Sequence, residues 1–188
     1  MPKKAPPPVK VSKTKAIKVG AAPSPRAGVA PAAVTPSPTA ALDVTIVNWK
    51  KDEPIHRVHL DLYKGNQFNP GKGNARFSPI KDAKGNSIPT LYGGNTFDCA
   101  AMESVFHDVP FAPGTKIYDK HKLDGQNYSV LASTADLSLA DLSSKALRRL
   151  GIKRNELIDT EKDRYPDTRL WAEAIHTQYP DVQGLSWV

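Results

Sequence analysis

Residues 54–63 read PIHRVHLDLY, and their alternation decides how the rest of the chain is read. Val58, Leu60 and Leu62 fall on one side of an extended segment; Arg57, His59 and Asp61 fall on the other. A period of two marks a half-buried strand. Its apolar face is expected to enter the core, taking Val58 with it, while its polar face carries Arg57 toward solvent or a cleft. An ordinary solvated strand arginine is the competing reading. On period alone it is the stronger one.

Between Lys64 and Gly85 the chain is full of breakers, KGNQFNPGKGN and then KDAKGN. A loop this long inside a compact domain is often functional. Its apolar anchor is ARFSPI, residues 75–80, where Phe77 is expected to plug into the core and pin Arg76 at a cleft edge. The glycines match neither a phosphate loop ending in GK[ST] nor GxGxxG after a strand, which excludes nucleotide folds of those kinds. IPTLYGG, residues 88–94, reads as a short strand ending at Gly93 and Gly94, with Tyr92 near its close. Asn95 or Thr96 then caps a helix running to about His107. On it Phe97, Ala100, Ala101 and Val105 form the packing stripe, and Cys99, Glu103 and His107 share an adjacent face at i, i+4 spacing. The two alanines let the helix approach the preceding strand, bringing Glu103 toward Tyr92. A solvated carboxylate paired with His107 is the competing reading of Glu103. Cys99 reads as a small core residue rather than a nucleophile.

Upstream, residues 43–49 (DVTIVNW) read as a short strand or an extended lead-in. Residues 1–42 are Lys, Pro, Ala and Val in irregular order, without aromatics or apolar periodicity. Such a stretch cannot bury enough surface to offset chain entropy, so a disordered tail is expected. No continuous apolar run supports a secretory leader, and the prolines spoil an amphipathic presequence. Charge divides at the same place. Seven of the 26 Lys and Arg lie in residues 1–42 with no Asp or Glu, and the remaining 19 balance all 19 acidic residues. The net charge of +7 belongs to the tail, so the body gives no support to nucleic-acid binding, and only weak binding through the tail is expected. A disordered linker is favoured over a nucleic-acid arm or a membrane-surface tether.

The single cysteine, Cys99, rules out an intramolecular disulfide and a thiolate-rich metal site. The five histidines show no ligand spacing beyond one H-x-x-H, so no metal is expected. No run approaches the ~18 apolar residues of a membrane span. A cytoplasmic protein is expected. The later chain reads mostly as scaffold. TKIYD (115–119) and QNYSVLAST (126–134) read as strands with a turn at Gly125, and DLSSKALRRLGI (141–152) as a strand end, a Ser143 cap and a helix closed by Gly151. Tyr165–Gln178 reads as a helix starting at Asp167 or Thr168, burying Leu170, Trp171, Ala174 and Ile175. VQGLSWV (182–188) reads as a final strand whose partner is missing.

The ordered set HRVHL, ARFSP, IPTLYGGNTFDCAAMESVFHDVP, DLSSKALRRLGI, YPDTRLWAEAIH and VQGLSWV resembles the RES domain, over roughly residues 44–188. This is the toxin family of bacterial RES–Xre toxin–antitoxin pairs, named for its recurring Arg, Glu and Ser. The resemblance implies an α+β fold with an ADP-ribosyltransferase-like split β-sheet core and short helices, occupying residues 43–188 behind the tail. It implies an NAD⁺-consuming enzyme that cleaves the nicotinamide–ribose bond and passes the rest to water, phosphate or a protein. The alternatives are an ADP-ribosyltransferase modifying a protein target and a catalytically inactive RES-like binding module. By the same resemblance, Arg57 and Arg76 match the family's cleft arginines, Tyr92 its aromatic and Glu103 its acidic residue. Thr168 in YPDTRLW is one candidate for the later Ser or Thr. The other would follow GLSWV, where the chain ends at Val188, so a truncated domain lacking a closing strand is one expectation. Val58 stands where some relatives carry a tyrosine. An Xre-type antitoxin that blocks the cleft is the implied partner.

That chemistry suits those residues. Arginine forks hold phosphate oxygens bidentately and keep their charge. A tyrosine ring stacks on nicotinamide or ribose and excludes water. An ionised Glu103 bonds a ribose hydroxyl and stabilises the positive charge that develops as the glycosidic bond breaks.

Overall fold

The computed structural model describes residues 33–106, 109 and 113–187, so the expectations for residues 1–32 and for His107 lie outside the described residues. Seven short strands fall into three small sheets, with four helices among the described residues. The arrangement is mixed α+β.

The central sheet has the order β1–β6–β7, from Ile46–Trp49, Leu137–Asp141 and Gly184–Ser186. β1 pairs antiparallel with β6, and β6 pairs parallel with β7 in the register Leu139↔Gly184, Ala140↔Leu185, Asp141↔Ser186. The last strand therefore has a partner, contrary to the sequence reading. Against this sheet lies the core, where Ala140, Leu142, Leu147, Leu157, Trp171 and Ile175 are essentially inaccessible. Ser143 caps helix α2 (Ser144–Arg149) by accepting from the Ala146 N–H, and Gly151 follows at φ +70°. Helix α3 (Arg154–Leu157) leads to α4, which spans Tyr165–Gln178 as its periodicity predicts. Its buried stripe is Tyr165, Thr168, Trp171, Ala172 and Ile175. Leu170, expected inside, is 46% exposed, while Thr168 is buried with its hydroxyl donating to the Arg76 carbonyl.

Residues 33–42, which the sequence reading puts in the tail, pack on this core. Thr35 is buried and donates to the Glu156 carbonyl at 2.6 Å, the Trp171 indole donates to the Pro36 carbonyl at 2.7 Å, and Leu42 is buried. The bonds run both ways, Thr35 and the Leu42 N–H donating to the body and Trp171 and Gln178 donating to carbonyls of the stretch.

The second sheet is a ribbon of β2 (Pro54–Leu60) and β5 (Gln126–Ala132), antiparallel from Pro54↔Ala132 to Leu60↔Gln126. The alternation of β2 is present, but its polarity is the reverse of that expected. Arg57 and His59 are each 9% exposed, Leu60 and Leu62 are 42% and 66% exposed, and Val58 is half-buried opposite Tyr128. The loop after β2 folds over the polar face, and Arg57 Nη1 donates to the carbonyls of Gly65 and Gln67. His59 meets Ser129 Oγ at 2.9 Å and the Leu60 carbonyl at 2.9 Å. Loop carbonyls enclosed this way require donors, and the two N–H groups of Arg57 Nη1 supply them. Burial lowers the Arg57 pKa from its ordinary value.

A two-residue hairpin, β3 (Ile80–Lys81) with β4 (Ser87–Ile88), forms the third sheet. The segment after β4 continues only as single bridges, Thr90 to Asn69 and Gly94 to His56, so the expected strand to Gly94 is shorter than read. TKIYD is not a strand and runs into a 3-10 turn at Lys120–Leu123. No helix among the described residues is long and apolar enough to cross a membrane.

Candidate active site

Three segments meet beside the central sheet. The first is the turn of residues 74–78, closed by the Ala75 N–H on the Ser78 carbonyl at 2.9 Å. Phe77 is buried at its centre, as expected, and Arg76 is turned the other way. The Arg76 guanidinium carbon lies 5.5 Å from the centre of the Tyr165 ring, a cation–π contact from the first turn of α4. Thr168 of the same helix donates to the Arg76 carbonyl. The Arg76 Nε is enclosed without a hydrogen-bond partner.

The second segment brings Tyr92. Its hydroxyl accepts from the Phe77 N–H at 3.1 Å, fixing the ring against the first segment. Burial raises the Tyr92 pKa above its ordinary value; hydrogen bonds to Ser78 and Phe77 and the Arg76 charge oppose the shift, and the Glu103 charge adds to it. Both charges thus reach one phenol.

The third segment is helix α1, Phe97–Ser104, capped by Thr96 Oγ1 accepting from the Cys99 N–H at 3.1 Å. It ends sooner than His107. Ala100 and Ala101 are its buried residues, while Phe97 stays 49% exposed with its ring edge against Tyr128. Gly94 makes the close seat possible. A Cβ there would stand 2.8 Å from both Ala100 N and Cys99 Cβ. Glu103 in the last turn accepts from the Trp187 indole N–H at 3.2 Å. The Trp187 ring packs on Phe77, with centroids 5.3 Å apart, and edge-on to Tyr92 at 6.2 Å.

Arg76, Tyr92 and Glu103 thereby line one cleft of about 290 Å³, with Tyr165, Lys162, Ser104 and Asn74 around them. Two residues assigned to the cleft by resemblance are not in its lining. Arg57 is bonded to loop carbonyls on the β2–β5 ribbon, and Thr168 is buried with its hydroxyl on the carbonyls of Arg76 and Tyr165. Conversely, Tyr165 and Trp187 were missed as site residues. In the sequence Tyr165 opens an expected helix and Trp187 lies in an expected final strand, and only the tertiary fold brings them to Arg76 and Glu103. A second depression of about 330 Å³, between Ile46, Ser138 and the chain after α4, holds Asp181 as its one charged residue. It offers no cation for a phosphate. Among the described residues no cluster of His, Cys, Asp and Glu is arranged to hold a metal.

A cation, a phenol and a carboxylate thus share the lining of one cleft. The family model described as RES domain matches residues 54–187, most of the chain. The chain belongs to the RES domain family. No solved structure matches it.

Proposed function

We propose that this RES-domain protein is an NAD⁺-consuming toxin that breaks the nicotinamide–ribose bond, and that its fold is related to the ADP-ribosyltransferases. The observation that carries the reading is the convergence of Arg76, Tyr92 and Glu103, from three separate segments, on one cleft. In this reading the free face of the Arg76 guanidinium takes a pyrophosphate oxygen, with Tyr165 beneath holding its plane. A cleft of about 290 Å³ suits the nicotinamide riboside half, with the adenylate on the open rim.

Glu103 carries the chemical step. The C1′–N bond breaks with its electron pair going to the nicotinamide nitrogen, leaving an oxocarbenium-like ribose. The carboxylate stabilises that charge and holds a ribose hydroxyl. A water oxygen then bonds to C1′ and loses its proton to solvent, giving ADP-ribose; phosphate or a protein oxygen would close the same step. Tyr92, kept protonated by burial, remains a neutral hydrogen-bonding wall across the physiological range. Arg57 acts through the loop it clamps, which leads on to the turn carrying Arg76. An Xre-type antitoxin that occupies the cleft is the proposed partner.

The test is nicotinamide release from NAD⁺, followed by proton NMR. Glu103→Gln keeps shape and hydrogen bonding but removes the charge, and is expected to slow release by about 10²–10³-fold. Asp181→Asn, in the other depression, should leave the rate unchanged. Equal rates in the two variants would remove Glu103 from the chemistry. Label moving from NAD⁺ to protein would make the acceptor a side chain.

A further inference from the structure

We infer that Trp187 is a positioning residue for the Glu103 carboxylate, an inference that deepens the NAD⁺-cleaving reading and rests on it for its kinetic arm. Glu103 sits in the last turn of α1, at the negative end of the helix, and that turn holds no basic residue. Helix polarity there disfavours a carboxylate and leaves its rotamer unfixed. The Trp187 indole supplies what the helix does not, a donor 3.2 Å from Glu103 Oε1.

Three features make this bond suited to orientation. First, the indole is fixed from behind. Its ring packs on Phe77, which is 4% exposed, and on the edge of Tyr92, so two other cleft segments hold it. Second, its strand is held at both ends, by the Gln183 N–H on the Ser138 carbonyl at 2.8 Å and by the Leu142 N–H on the Ser186 carbonyl at 2.7 Å. Third, an indole N–H is an uncharged donor. An arginine or lysine at that place would orient the carboxylate but cancel the field needed at the ribose; the indole orients it and leaves the charge in place. With Oε1 engaged, Oε2 is directed to the ligand.

The experiment pairs Trp187→Phe, which keeps an aromatic ring and deletes the donor, with Glu103→Gln and the double variant. Trp187→Phe is expected to lower kcat about tenfold with KM changed less than about twofold. In the Glu103→Gln background it should cost almost nothing further, because the charge being oriented is already gone. The same loss on both backgrounds, or wild-type kcat in Trp187→Phe, would overturn the inference. A second readout needs no turnover. The ¹H–¹⁵N indole resonance that Trp187→Phe removes, one of three, should move upfield in Glu103→Ala as its acceptor disappears. An inactive wild type whose indole resonance still moves would refute the NAD⁺ reading and uphold the positioning contact. An unmoved resonance refutes the contact itself.

Discussion

Arg57 and Arg76 look like a pair in the sequence, and the fold gives them opposite surroundings. Arg57 lies on a two-stranded ribbon whose polar face is the covered one, with Nη1 on the carbonyls of Gly65 and Gln67. Arg76 lies on a turn anchored by Phe77, stacked on Tyr165, with an enclosed Nε that no described protein group satisfies. Arg57 commits Nη1 to carbonyls of its own chain, whereas Arg76 lines the cleft. Two fixed cations near each other in sequence are therefore not one binding site until the acceptors around each are counted.

That contrast is open to attack by substitution. The largest stability effect belongs to Arg57. Arg57→Ala leaves the carbonyls of Gly65 and Gln67 without their donor, and unfolding in urea should show a loss of about 2–3 kcal/mol. An unchanged midpoint would mean that the loop does not depend on the clamp. Thr168→Val comes next. It removes the hydroxyl from the Arg76 carbonyl at constant volume and should cost about 1 kcal/mol by the same measurement, with a smaller loss of nicotinamide release.

The smallest effect concerns Tyr92 and pH. Its folded pKa is raised from 10.0 by burial, so the folded state holds the proton more tightly than the unfolded chain. The stability this contributes is complete below pH ~10 and is lost as pH rises through the folded value. An ultraviolet titration should find Tyr92 ionising later than the exposed tyrosines, and Tyr92→Phe should remove its share of the late step.

Much of the fold was legible locally. Helix α4 spans Tyr165–Gln178 as read, because a sustained apolar periodicity marks it from within, although it begins before Asp167. The Ser143 cap and the turn at Gly151 were legible for the same reason. What escaped was set by distant partners. The alternation of β2 shows that two faces exist, and the loop that folds over one of them decides which is buried. β7 found its partner in β6, where Gln183 and Ser138 meet across 45 residues. Phe77 is buried and Arg76 lies in the cleft lining because adjacent residues on a turn face opposite ways. The Trp187–Glu103 contact spans 84 residues and carries no local signal.

The most direct measurement is NAD⁺ affinity by calorimetry in a Glu103→Gln background, where turnover does not intrude, comparing Arg76→Lys with Arg57→Lys. Lysine keeps the charge and removes the fork, so the result reports which arginine uses its fork on the ligand. Arg76→Lys is predicted to weaken binding at least about tenfold, with Arg57→Lys within about threefold for the folded protein. The opposite order, with Arg57→Lys abolishing binding and Arg76→Lys sparing it, would contradict the account and move the ligand's phosphates to the β2–β5 ribbon.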